Sequence, residues 1–294
     1  MILADAQAAN RRRTAVVVGT RILVGIDGSP ESLDAARQAA RLLEGGGTLT
    51  LMAAYDVPPP TLLGGRRGGI PIDVDVDLMR EQAERAVHAA SAEIGDSSRV
   101  HVRVVHGSAR HALFREAERE HATLIAVGSH GRGRMAGIAL GSTATALAHN
   151  APCSVLVARA KPIPPTQITV GVDGSRQSLL ATEVALDLAT RLGGVARAVV
   201  AIGDPRVDVE GLRHRLEALP VDAGRATTIP IQWRDELPVE ALVAASTEAG
   251  LLVVGGRGLH GLAALRSVSE RVAHRARCSV LIVRDAAWGS SSRR

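Results

Sequence analysis

Short apolar, β-branched runs alternate along the chain with longer stretches whose apolar positions recur at helical spacing. The first texture is that of a strand buried on both faces; the second is that of an amphipathic helix. "RILVGID" predicts an opening strand, and Ser29 is a helix N-cap with Pro30 at the first helical position. That helix runs to Leu43 and stops at Gly45, Gly46 and Gly47. "TLTLMAAY" predicts the second strand, residues 76–94 a helix, and "RVHVRVV" a third strand. Residues 109–121 read as a helix, "TLIAVG" as a strand, Ser142 to Asn150 as a short helix, and "CSVLVAR" as the closing strand. This alternation predicts an α/β domain with a five-stranded parallel sheet, doubly wound.

The pattern is written twice. "ILVGIDGSPESLDA" (22–35) matches "ITVGVDGSRQSLLA" (168–181) at nine of 14 positions, and "AHNAPCSVLVAR" (148–159) matches "AHRARCSVLIVR" (273–284) at eight of 12. The matches keep the same order, so the chain reads as two tandem domains, 1–160 and 161–294. "AKPIPPT" (160–166) is the semi-rigid linker between them. Residues 1–20 and 286–294 are expected to be flexible extensions. Asp27 to Cys153 spans 126 positions and Asp173 to Cys278 only 105; most of the difference falls on the Pro- and Gly-rich segment 56–73, read as a mobile loop.

Composition narrows the function classes. No apolar run approaches the ~18–20 residues of a membrane span. Arg11, Arg12 and Arg13 precede an apolar run, as in a secretory leader, but that run merges into the first strand without a cleavage-like site, so a cytoplasmic protein is expected. The net charge of +5 would permit nucleic-acid binding, yet the charges are spread along the chain and aromatics make up only 1%, leaving almost no rings for base stacking. Cys153 and Cys278 have no metal-ligand or redox spacing and read as buried small apolar residues.

The richest stretch for chemistry is "VGSHGRGRMAGIALGS" (127–142), with five glycines between the fourth strand and a helix. In doubly wound sheets ligands sit beyond the carboxyl ends of the strands, where the strand order reverses. A helix N-terminus with free N–H groups attracts anions. Gly128 and Gly131 would let backbone approach a phosphate, while Gly141, Ser142 and Thr143 would present donors. The plainer reading is that glycines after a strand merely turn the chain. The lysine of the G-x4-GK[ST] loop is absent, kinase signatures are missing, and no nucleophile–base set can be assembled. His130 reads as a surface loop side chain.

The pattern Gly128-x2-Gly131-x9-Gly141-Ser142, with "VGIDGS" opening and "CSVLV" closing the domain, resembles the ATP-binding branch of the universal stress protein family. The resemblance covers practically the whole chain as two tandem domains. It implies that Asp27, followed by Gly28, lies near adenosine, that a backbone position near Ala54 meets adenine, and that Gly128, Gly131, Gly141, Ser142 and Thr143 wrap the phosphates, with Arg132 beside the terminal one. The cofactor implied is ATP or a related adenine nucleotide, alone or with magnesium. The alternative for Asp27 is a carboxylate that caps the next helix. The resemblance also implies that the two copies pair through their last strands about a pseudo-twofold axis, and that whole chains form a homodimer.

The second copy departs from the pattern. Asp173, Gly174, Gly255 and Gly258 persist, and Ile202 is read at the adenine position. Ser267 aligns with Ser142, with Ser269 two residues on, but Arg266 stands where the first copy has Gly141 and the loop is two residues shorter. A side chain there blocks close approach and removes access to positive φ, so the first domain is expected to bind nucleotide more strongly. Three functions fit: a nucleotide-dependent stress or signalling module, a weak ATPase, or an interaction protein that nucleotide stabilises.

Overall fold

The computed structural model describes residues 18–56, 75–95, 98–131, 140–160, 163–203, 208–217, 229–256 and 267–285. Arg132, Gly258, Arg266, the segment 57–74 and both extreme termini lie outside them. The first half runs β1 (Arg21–Gly25), α1 (Pro30–Leu42), β2 (Thr48–Tyr55), α2 (Val76–Ile94), β3 (Val100–His106), α3 (Ala109–Arg119), β4 (Leu124–Gly128), α4 (Ser142–Asn150) and β5 (Ser154–Ala158). The second repeats it: β6 (Gln167–Gly171), α5 (Arg176–Arg191), β7 (Val195–Ala201), α6 (Val209–Glu217), β8 (Ile231–Arg234), α7 (Pro238–Ala245), β9 (Leu251–Gly255), α8 (Val268–Arg275) and β10 (Ser279–Val283).

All strands join one sheet in the order β3-β2-β1-β4-β5-β10-β9-β6-β7-β8. Within each half the pairs are parallel, joined by strand–helix–strand crossovers. The halves meet where β10 runs antiparallel to β5. Leu156 faces Leu281 there, flanked by Val155–Ile282 and Val157–Val280. Leu156 and Leu281 are equivalent residues of the two copies, so the register is that of a twofold axis passing between them. The last strand of each domain, an edge within its own five, is thereby covered, and both strands are buried throughout. The free edge at β3 departs from the fully apolar strand expected: its outer positions, including Val102, are exposed.

Helices cover both faces. α1, α2, α5 and α6 pack apolar side chains on one face of the sheet, and α3, α4, α7 and α8 on the other. Ser29 caps α1, accepting from the Ser32 N–H at 3.2 Å, and Ser175 caps α5 in the same way. Cys153 and Cys278 are fully buried and neither forms a disulfide; burial pushes the Cys153 thiol up to about 12, so it stays neutral.

Two arginines clamp the seam, each at the end of its copy's last strand. Arg284 is buried and donates to carbonyls at the end of α4: Leu147 at 3.1 Å, Ala151 at 3.4 Å, His149 at 3.4 Å, and Ala148. Arg159 donates to the Ala273 carbonyl of α8 at 2.6 Å and to that of Cys278 at 3.5 Å. A cation at a helix C-terminus satisfies carbonyls that have no intrahelical donor and matches the dipole. Burial lowers both guanidinium pKa values to about 10, which leaves them charged at neutral pH. Ser154 and Ser279 complete the exchange: the Arg284 N–H donates to Ser154 Oγ at 3.1 Å and the Arg159 N–H to Ser279 Oγ at 3.0 Å.

Candidate functional site

β1 and β4 are neighbours, and their connections leave in opposite directions along the sheet, so a crevice opens beyond their carboxyl ends. A cleft of about 380 Å³ lies there. Its lining includes Asp27 after β1, Ala54 near the end of β2, Gly128 at the end of β4, Gly131, and Gly141, Ser142 and Thr143 at the start of α4. Seven residues from four distant segments thus meet at one site. Ile26, Met52, Leu113 and Val127 give it an apolar floor. A pocket of this size with an apolar base and a few convergent polar groups suits a small-molecule ligand.

Each predicted residue has a local cause. Asp27 is half-buried; its Oδ1 accepts from the Ser29 N–H at 2.9 Å and the Ser29 hydroxyl at 2.6 Å. The carboxylate therefore holds the capping serine of α1 while it also faces the cleft. Gly28 sits at φ +80° in the turn between them, a conformation glycine adopts without strain, and it does not line the cleft. A Cβ on Gly128 would come within 2.7 Å of the Glu31 backbone, so α1 crossing over β4 already requires this glycine. A Cβ on Gly131 would collide with Asp27 Oδ2, which places that carboxylate directly against the loop backbone.

Gly141 is different. Its φ is −60°, and a Cβ would meet only ordinary contacts, the nearest being His130 Cα and the Ser129 carbonyl at 3.6 Å. The expectation that position 141 needs positive φ is therefore wrong: the backbone is extended there because the residue is the N-cap of α4. Among the described residues, nothing packed around position 141 demands a glycine there. It supplies no capping side chain, and no acidic residue stands in the first turn of α4. The opening N–H groups of a helix have no intrahelical acceptor, and here they border the cleft with Ser142 exposed and Thr143 half-buried.

The second domain builds the same turn and closes the same helix end. The Ser175 N–H donates to Asp173 Oδ1 at 2.9 Å, and Gly174 has φ +78°. The recurrence of the Asp-Gly-Ser sequence thus follows from the turn in both copies, and Asp173 is exposed where Asp27 is half-buried. A Cβ on Gly255 would reach within 2.6 Å of the Gln177 backbone, repeating the packing constraint at Gly128. At α8, however, Ser267 is the N-cap: its hydroxyl accepts from the Glu270 N–H at 3.3 Å and lies 3.0 Å from the Ser269 hydroxyl. Glu270, buried, adds a carboxylate to the first turn. Its Oε2 lies 3.1 Å from His149 Nδ1 of α4, so the first turn of α8 carries a negative charge of its own that disfavours a second anion.

The pairing register corrects one assignment. Gly25 pairs with Met52 and the equivalent Gly171 with Val199, so Ala54 corresponds to Ala201, and Ile202 to Tyr55. The Ile202 N–H is also engaged, donating to the Arg234 carbonyl at 2.8 Å. Strand register is set by neighbours, and similar apolar runs slide past one another in a sequence comparison.

Sequence reasoning missed two residues. His130, read as a surface side chain, is partly buried and lines the cleft; its Nδ1 is 3.1 Å from the Ser129 hydroxyl, and its buried Nε2 has no hydrogen-bond partner among the described residues. Glu270 carried no signal because its counterpart in the first copy is Thr145. Among the described residues no cluster of three or more His, Cys, Asp or Glu could hold a metal, and no helix is long and apolar enough to cross a membrane.

The profile of the universal stress protein family matches residues 19–159 and again 165–284. The chain is 34% identical to universal stress protein Rv2623 of Mycobacterium tuberculosis, over 90% of this chain and 96% of that one. It is 25% identical to universal stress protein Rv1996 of the same organism, over 90% and 94%. Its fold is similar to the crystal structure of a universal stress protein from Archaeoglobus fulgidus, with a TM-score of 0.69 at 20% identity, covering 92% of this chain and 98% of the other.

Proposed function

This chain belongs to the universal stress protein family, and we propose that its first domain binds ATP, or a closely related adenine nucleotide, as a nucleotide-dependent module of stress response or signalling. One observation carries this reading. The N-terminus of α4, without a side-chain cap, borders a cleft at the strand-order switch point, and none of the described residues around Gly141 requires a glycine there. A phosphate seated on the first turn of α4 explains both, because close backbone approach leaves no room for a side chain. The apolar floor beside Ala54 suits a purine, and Asp27 stands where a ribose hydroxyl can donate to it. A polar ligand that reached His130 Nε2 would also relieve a buried group that otherwise lacks a partner.

The second domain binds nucleotide weakly or not at all, since the Ser267 hydroxyl already takes the Glu270 N–H and the Glu270 carboxylate adds negative charge to the first turn of α8. Holding the nucleotide, with slow hydrolysis at most, fits the side chains better than rapid turnover. Magnesium that travels with the triphosphate would be liganded by phosphate oxygens and water, without a protein cage.

Nucleotide recovered from the purified protein and identified by mass spectrometry tests the proposal, with isothermal titration for affinity. ATP with an intact γ-phosphate, lost in Asp27→Ala, is the expected result. Recovery of ADP together with phosphate release in solution would favour the weak-ATPase reading. Absence of any nucleotide affinity would sink the proposal.

A further inference from the structure

α4 and α8 lie side by side across the seam, and each carries a histidine four residues before its domain's cysteine, His149 and His274. Each ring reaches into the other domain. His149 Nδ1 lies 3.1 Å from Glu270 Oε2, in the first turn of α8. His274 Nδ1 accepts from the backbone N–H of Leu140 at 3.5 Å. Leu140 immediately precedes Gly141, is buried, and shares an apolar cluster with Ala144 and Leu147 of α4 and with Val272 and Ala273 of α8. The next N–H, that of Gly141, donates to the Ser129 carbonyl at 2.9 Å. The backbone entering α4 is therefore held by two acceptors, one from its own domain and one from the other.

We propose that His274 is a positioning residue for the nucleotide site of the first domain: it fixes Leu140, and through it the turn Gly141–Thr143, so that the second domain completes a site it does not itself line. This role rests on the nucleotide reading of the cleft. A backbone N–H can only donate, so His274 must present an unprotonated Nδ1. Protonation turns that nitrogen into a donor and releases Leu140, within the pH range where histidine titrates. Among the described residues, the charged and titratable groups on the elements packed at the ring include Glu270, Arg271 and Arg275 on its own helix and His149 on α4. Glu240 on α7, paired with Arg275, and Arg159, bonded to the Ala273 carbonyl, lie on neighbouring elements.

The test compares ATP affinity of the full-length wild type, His274→Ala and His274→Asn from pH 8 to pH 6, with hydrogen exchange at the Leu140 amide. An asparagine Oδ1 can accept where Nδ1 does and does not titrate. At pH 8 His274→Ala should bind ATP roughly fivefold more weakly, the scale of one neutral hydrogen bond. His274→Asn should stay within about twofold of wild type on the same scale. The affinity ratio of wild type to His274→Asn should then fall as the pH drops, and at pH 8 Leu140 should exchange faster in the alanine variant only. A flat ratio, or an alanine variant that matches wild type in affinity and in Leu140 exchange, overturns the proposal. If wild type itself fails to bind ATP, the nucleotide reading falls; Leu140 exchange would still report whether His274 holds the loop.

Discussion

The N-terminus of α4 and that of α8 occupy equivalent places in two copies of one fold, yet they present opposite chemistry. α4 begins at a glycine with no capping side chain and no acid in its first turn; α8 begins at a serine that caps it and a glutamate that lies against it. The strand order, the Asp-Gly-Ser turn and the glycine under the first helix are shared. The two helix ends differ in which groups satisfy the opening N–H groups. A helix end that caps itself gains stability and gives up its use as an anion site. On the proposed reading, the pair separates residues the fold needs from residues a ligand needs, and Gly141 falls in the second group.

Substitutions can break this comparison at graded depths. The largest effect expected is Gly141→Arg, which copies the residue aligned from the second domain. ATP affinity should drop at least ~100-fold, about 2.7 kcal/mol, while the thermal midpoint stays near wild type because the Cβ fits. Titration calorimetry beside a melting curve checks both halves. A protein that melts early would show that the glycine serves the fold after all.

Next comes the seam. Arg284→Met should destabilise the chain by about 2–3 kcal/mol in urea unfolding, since it strands buried carbonyls at the end of α4. Arg159→Met should cost less, because Arg159 reaches two carbonyls and Arg284 four. Equal losses would contradict the asymmetry of the clamp. Gly128→Ala and Gly255→Ala should each cost ~1–3 kcal/mol, as overpacking against a helix does, and should do so alike in both domains. The smallest effect is Ser267→Ala, about 1 kcal/mol for a lost cap, against no measurable change for Ser142→Ala. Comparable costs at the two serines would mean that α4 is capped in solution as α8 is.

Much of the architecture is legible in the sequence because it is local. Ser29 with Pro30, the span Ser142–Asn150, and the alternation of apolar runs with amphipathic stretches each specify an element without reference to distant residues. The pattern of glycines points to the cleft, but not to why each glycine is there. Gly128 answers to the backbone of α1, and Gly28 to a turn, and only the folded chain distinguishes them from Gly141. The assignment of Ile202 failed by one residue because pairing, not composition, fixes register. Arg159 and Arg284 stand in matching places at the ends of the repeat, yet their role depends on a helix belonging to the other copy. Glu270 was invisible for the converse reason: it differs between the copies, and differences look like drift until the hydrogen bonds around them are known.

The claim that one chain holds one nucleotide, and holds it in the first domain, is tested most directly by native mass spectrometry of the protein saturated with ATP. One ATP per wild-type chain and none in Gly141→Arg is the predicted result. Two per wild-type chain, or one that persists in Gly141→Arg, would contradict the account.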